Sequence, residues 1–479
     1  MRTLITNGTV ITPQGAQALD VLVEGEKIAA LLQPVASAGS SGGAGSFIAA
    51  ETTIDASGKY IVPGGIDVHT HMELPFGGTS ASDTFETGTR AAAWGGTTTI
   101  IDFAVQRTGE NVRSCLDDWF AKAEGNCAID YAFHMILGDI TEGALKEMDI
   151  LVGEGITSFK LFMAYPGVFY SDDGQILRAM QKANENGAMI MMHAENGIAI
   201  DVIAEQAASR GKTDPIYHGI TRPPRLEGEA THRAIQLAIV AGSPVYFVHL
   251  SASEALEQVA IARHEGRNVF AETCPQYLFL NLEDHLGAPG FAGAGYVCSP
   301  PLRTKHEHHH GDLWRGLRTN DLSIVSTDHC PFCMKEQKEL GLDDFRAIPN
   351  GIGGVEHRMD LIYQGVVAGE LSLARWVETC SATPARMFGL WPQKGALLPG
   401  SDADIVIYDP NATTVISADT HHMNMDYSAY EGVEIDGGVD TVLSRGQVVI
   451  GRADNGQRAY LGKKGDGRYL RRGLSQYLV

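Results

Sequence analysis

From Tyr60 onward the chain repeats one pattern. Short apolar or β-branched runs alternate with longer stretches of helical periodicity, and few folds accept that pattern eight times. The runs are Ile61–Val68, Thr97–Phe103, Tyr131–Leu137, Ile156–Phe162, Ala188–His193, Pro244–Leu250, Asn268–Cys274 and Leu322–Thr327. Near-continuous apolar strands separated by helices are the signature of a parallel sheet covered on both faces. Among the intervening segments, Asn111–Glu124, Asp172–Asn186 and Ser251–Glu265 open on capping residues and close near glycine. Eight such units in series predict an α/β fold, a (β/α)8 TIM-like barrel, whose chemistry sits where strands end and loops begin.

The flanking sequence follows a different grammar. Thr3–Ile5 and Thr9–Ile11 surround Asn7-Gly8, a dipeptide that favours a two-residue hairpin, and Asp20–Val23 and Lys27–Leu31 flank a second turn. Ser37–Ser46 is a Gly/Ser-rich surface excursion by composition. Strand and turn signals return after Ala396, at Asp404–Tyr408, Thr441–Leu443 and Gln447–Ile450 around Arg445-Gly446. The economical reading is one small β-sandwich domain built from both termini with the barrel inserted. It divides the chain into residues 1–58 and 391–455 for the sandwich, 59–390 for the barrel, and 456–479 for a basic tail. Arg458, Lys463, Lys464, Arg468, Arg471 and Arg472 of that tail are expected in a solvated or subunit-contacting arm.

Composition narrows the class of partner. A formal net charge of -21 over 479 residues repels nucleic-acid phosphates and anionic membrane surfaces. Seven dispersed cysteines give no disulfide framework, so a cytoplasmic location is expected. The first residues carry no secretory signature, and no run has the apolar length of a membrane span.

Ionisable residues then coincide with the predicted strand ends. His69 and His71 close strand one, Lys160 lies near the end of strand four, His193 ends strand five, His249 ends strand six, and Asp328 follows strand eight. Residues i and i+2 of a strand share a face, so His69 and His71 can address one metal ion. Four imidazoles and a carboxylate suit one metal with a spare ligand, or two. Lys160 bears on that choice, because an ammonium is repelled by cations whereas a carbamate made from the amine and carbon dioxide can bridge them. The residues alone leave the choice open. Cys330-Pro-Phe-Cys333 is a single CxxC with no second pair and is assigned a structural role.

The segments Ile61–His71, Ser158–Tyr165, Met192–Glu195, Val248–Ser251 and Ser326–Pro331 together resemble the dihydropyrimidinase/hydantoinase branch of the cyclic amidohydrolases, over nearly the whole chain. The resemblance implies two zinc ions per subunit: His69, His71 and Asp328 on one, His193 and His249 on the other, with carboxylated Lys160 and a hydroxide bridging them. It implies attack of that hydroxide on a small neutral cyclic diamide, Asp328 as the proton carrier and Tyr165 as donor to the oxyanion. Ser299 and Asn350 match the imide-recognising positions, and Phe76, Phe162 and Phe169 are candidates to line the pocket. The products would be N-carbamoyl amino acids from 5,6-dihydropyrimidines and 5-monosubstituted hydantoins, and the assembly a homotetramer. Dihydroorotase calls for an arginine shortly after the HxH pair, where this chain has Met72-Glu73-Leu74. Allantoinase shares the ligands and differs in pocket loops. A non-catalytic dihydropyrimidinase-related assembly protein would have lost ligands that this chain keeps.

Overall fold

The computed structural model describes residues 1–34 and 49–477. The Gly/Ser-rich stretch Ser37–Ser46 lies outside them. At the centre an eight-stranded parallel sheet runs in sequence order through Gly65–Thr70, Thr97–Val105, Asp130–Ile136, Ser158–Phe162, Met189–His193, Val245–Phe247, Val269–Thr273 and Ile324–Val325. Strand eight returns to strand one through a bridge between Thr70 and His329, where His71 N donates to the His329 carbonyl at 2.8 Å. The barrel is thereby nearly closed.

Helices begin and end where the side chains dictate. Asn111 caps Val112–Ala123 by accepting from Ser114 N, and Asp172 forms a capping box with Gln175 at the start of Asp173–Asn186, which stops at left-handed Gly187. Ser251 does not cap its helix, which spans Ser253–His264. Its hydroxyl is engaged by Glu227 instead, at 2.6 Å.

Two expectations about strands are corrected. The run Ile61–Val68 is not one strand. Tyr60–Pro63 pairs antiparallel with Ile405–Tyr408 in a seven-stranded sheet, and only Gly65–Thr70 belongs to the barrel. The chain changes sheets at Gly64, where an added Cβ would sit 2.1 Å from Thr98 Oγ1. Nor do the strands around Asn7-Gly8 form a hairpin. Arg2–Thr6 pairs with Asp20–Glu24 and Thr52–Asp55 in a four-stranded sheet, while Thr9–Thr12 joins Gly15–Ala18 and Tyr60–Pro63 in the other. Asn7, left-handed at φ 63°, turns the chain between sheets and is held there by Asp20 and Asp55.

Both termini contribute to the seven-stranded sheet, which unites Gly15–Ala18, Thr9–Thr12 and Tyr60–Pro63 with Ile405–Val415, Glu434–Ser444, Gln447–Arg452 and Arg458–Tyr460. Strand alternation lets it serve two cores. Ile61, Ile405 and Ile407 pack with Ile5, Val21 and Leu443 in a small sandwich core, and Val62, Val406 and Tyr408 point into the barrel core. The basic tail is not a free arm throughout. Arg472 is buried, donating to the Phe133 carbonyl and to Ser158 Oγ, and Leu470 N bonds the Tyr131 carbonyl.

Candidate active site

The C-terminal ends of the barrel strands bring His69, His71, Lys160, His193, His249 and Asp328 onto one buried floor. Asp328 Oδ1 lies 3.1 Å from His69 Nε2 and 3.2 Å from His71 Nε2. Lys160 Nζ is 2.9 Å from His69 Nε2, and His193 Nδ1 is 2.9 Å from His249 Nε2. Ligand atoms of His69, His249 and Asp328 all fall within 4.8 Å of one another. Imidazole nitrogens and a carboxylate oxygen grouped this closely are the kind of donor set that zinc takes.

Carboxylates behind the histidines fix which nitrogen faces the floor. Glu272 accepts from His69 Nδ1 at 2.5 Å and is itself held by Tyr246 OH at 2.8 Å, turning His69 Nε2 toward Lys160 and Asp328. Glu195 Oε2 lies 2.9 Å from His193 Nε2, which leaves Nδ1 to the floor. This is the arrangement that orients metal-bound histidines and raises their basicity. Two further nitrogens, His71 Nδ1 and His249 Nδ1, are buried without a partner among the described residues. The donor set therefore fits a divalent cation on the chemistry of its own atoms.

Burial sets the charge states. It pushes the Lys160 ammonium down to about 8 against the opposing pull of Asp328 and Glu272, so a neutral amine is accessible near physiological pH. The same burial pushes His71 down to about 3, keeping it neutral. Burial also raises Asp328, but the charge of His69 and the hydrogen bonds of His69 and His71 outweigh it and hold the carboxyl well below the usual range. Backbone strain accompanies these positions: Tyr165, His249 and Asp328 are left-handed at φ 60°, 40° and 52°. Each costs about 1–3 kcal/mol and persists only because the surrounding packing over-determines it.

The cavity above the floor has two kinds of wall. On one side Asn350 Nδ2 donates to Ser299 Oγ at 3.1 Å and reaches Tyr165 OH at 3.5 Å, so three polar groups converge. Burial, reinforced by the Glu195 charge, raises the Tyr165 phenol to about 12, and it remains a donor at neutral pH. On the other side Phe76 stands edge-on to Tyr165 at 5.4 Å, with Phe169 stacked at 6.4 Å and Phe162 completing the cluster. Every residue expected at the site lines this cavity or its floor.

Sequence reasoning passed over Glu272, Glu195, Leu74, Ile136 and Cys330, the last lining the cavity despite its structural assignment. A signal for Glu272 existed: it is the one acidic residue inside the apolar run Asn268–Cys274. His134, by contrast, is no part of the floor. Its ring is used up by Ser158 Oγ at 2.5 Å and the Val68 carbonyl at 3.0 Å. His329 is likewise held by Asp83 at 3.0 Å.

Comparison with known proteins agrees with this geometry. Residues 60–449 match the Amidohydrolase family. The chain belongs to that family. It is 63% identical over 478 residues to the D-hydantoinase of Streptomyces coelicolor, covering 100% of this chain and 99% of that one, and 46% identical to the D-hydantoinase of Geobacillus stearothermophilus, over 98% and 97%. The crystal structure of dihydropyrimidinase from Brevibacillus agri superposes with a TM-score of 0.93 at 45% identity, over 99% of both chains. Within the amidohydrolases the chain is thus placed in the D-hydantoinase/dihydropyrimidinase branch.

Proposed function

We propose that this amidohydrolase opens the ring of 5,6-dihydropyrimidines such as dihydrouracil and dihydrothymine, and of 5-monosubstituted hydantoins, to give N-carbamoyl amino acids. The observation that carries the reading is a six-residue ligand floor lying directly under a wall of imide-sized polar groups, Ser299, Asn350 and Tyr165. The names of the D-hydantoinase and dihydropyrimidinase relatives support the same substrates.

His69, His71 and Asp328 would hold one zinc ion and His193 and His249 a second, with Lys160, once carboxylated, offering its oxygens to either. When bound, such ions would supply Lewis acidity and bring the acidity of a bound water toward neutrality. The chain does the rest. Ser299 and Asn350 orient the imide by hydrogen bonds, and the Phe76, Phe162 and Phe169 cluster receives the ring substituent and excludes water. Tyr165 OH donates to the carbonyl oxygen as negative charge gathers there. Asp328, ionised at rest, takes the proton from the attacking water and returns it to the departing ring nitrogen, so the amide C–N bond breaks with a neutral leaving group.

A homotetramer in the cytoplasm completes the reading. Among the described residues no helix is long and apolar enough to cross a membrane. The deciding experiment measures metal content beside hydrolysis of dihydrouracil, hydantoin and allantoin. Two metals per chain with ring opening of the first two is expected. Fewer than two at full loading with no ring opening would sink the proposal, and a preference for allantoin would move it to the allantoinase alternative. Light scattering checks the tetramer.

A further inference from the structure

Lys338 has no role in the chemistry above, yet it is fully buried and its three ammonium hydrogens all go to backbone carbonyls: Pro349 at 2.7 Å, Gly351 at 2.9 Å and Val297 at 3.1 Å. Among the described residues no carboxylate receives this buried ammonium, so burial pushes it down to about 7, and a methionine would fill the same volume without the cost of a buried charge. The groups that face it are the Cys298 and Cys330 thiols, both kept protonated by burial, and the Phe332 ring at 5.7 Å.

The three carbonyls are not arbitrary. Val297 lies two residues before Ser299, and Pro349 and Gly351 flank Asn350 on either side. Lys338 therefore ties together, from behind, the two loops that present the imide-facing groups, and Gly351 N closes the same junction on the Val297 carbonyl at 2.9 Å. Gly351 must be glycine here, since a Cβ would lie 2.1 Å from the Cys330 carbonyl oxygen. The preceding residue ties the opposite wall. Gln337 Nε2 donates to Thr79 Oγ1 at 2.9 Å and to the Ser80 carbonyl at 2.7 Å, gripping the Pro75–Phe76 and Thr79–Ser80 hairpin that presents Phe76 to the cavity. Its Oε1 accepts from Cys333 N at 2.7 Å, which fixes the amide.

We infer that Gln337-Lys338 is a strap that sets the two walls of the pocket, Lys338 positioning Ser299 and Asn350 for the imide and Gln337 positioning Phe76 for the ring substituent. Neither residue touches substrate, so both are positioning residues. The inference rests on the proposed ring-opening activity and divides it into two separable adjustments.

Lys338→Met and Gln337→Ala are compared with wild type, as metal-loaded full chains, on dihydrouracil, hydantoin and 5-phenylhydantoin. In Lys338→Met, KM for all three is expected to rise about tenfold, the effect of loosening a substrate hydrogen bond, with kcat within about threefold and metal content unchanged. In Gln337→Ala, KM for 5-phenylhydantoin is expected to shift about threefold or more relative to hydantoin. Unchanged KM in Lys338→Met, or a parallel fall of kcat and metal content, overturns the imide-side role. Gln337 is only half-buried, so its variant decides the strap even where Lys338→Met is insoluble: an unchanged ratio of the two KM values overturns it. Absence of ring opening by wild type would fail the proposed function instead, a result distinct from any of these.

Discussion

At the scale of single residues, Lys160 joins burial to chemistry. Only its neutral amine can add carbon dioxide, and burial, pushing the ammonium down to about 8, makes that form available as pH rises through 8. Metal-free protein given zinc and bicarbonate should recover activity several-fold faster at pH 8 than at pH 6.5, and slowly in carbon-dioxide-free buffer. Lys160→Ala should lose metal and activity and regain part of both with a short carboxylic acid. Wild-type activity in that variant would refute the bridge. Glu272 makes a second case, since among the described residues it alone holds His69 Nδ1 and so aims Nε2 at the floor. Glu272→Gln is expected to weaken zinc binding about 10- to 100-fold, measured by competition with a chelator. The six floor residues could be read from the sequence because each lies within two or three residues of the end of an apolar run. Glu195 could not, because a carboxylate just past a strand end reads equally as a helix cap until its histidine is in view, and Glu272 is marked only as the one acid inside an apolar run. The left-handed backbone at Tyr165, His249 and Asp328 leaves no mark in residue type at all, being imposed by packing.

At the scale of elements, the strand Ile405–Val415 shows how one segment can be needed by two cores. Ile407 is buried in the sandwich core and Val406 in the barrel core, so neither face is available to solvent. Ile407→Ala and Val406→Ala should each cost about 2–4 kcal/mol in chemical denaturation. A cost below about 0.5 kcal/mol at either position would contradict the two-sided burial. The same strand explains what the sequence reading lost. Periodicity reports that Ile61–Val68 is apolar but not which partner each part takes, and Tyr60–Pro63 pairs with a strand some 340 residues later. Asn7-Gly8 has the composition of a hairpin turn, yet the hydrogen bonds from Asn7 to Asp20 and Asp55 carry the chain into a second sheet. Local turn chemistry was read correctly; the long-range pairing that overrode it has no local signature.

At the scale of the whole molecule, the barrel and the terminal sheets meet on a buried ionic junction. Lys394 Nζ lies 2.6 Å from Asp130 at the start of barrel strand three and 2.7 Å from Asp404 beside the strand Ile405–Val415, with Asp402 at 3.1 Å. Arg445, from the turn after Glu434–Ser444, closes on Asp130 from the other side. Burial opposes the Lys394 ammonium, but the charges of Asp404, Asp130 and Asp402 outweigh it and raise its proton affinity well above that of a free lysine. Removing the cation leaves carboxylates buried without their counter-charge, so Lys394→Met should destabilise the protein by about 3–5 kcal/mol. The sign of the pH dependence follows from the raised value. A group that binds its proton more tightly when folded contributes fully below the ordinary lysine value of about 10.4, and the contribution is lost as pH rises through the folded value. The stability gap between wild type and Lys394→Met should therefore be constant from pH 7 to about 10 and narrow only above that. Denaturation series at pH 7, 9 and 11 test this directly. A gap already shrinking between pH 7 and 9 would mean that the junction does not hold Lys394 as a cation, and that apolar contact alone joins barrel to sheets.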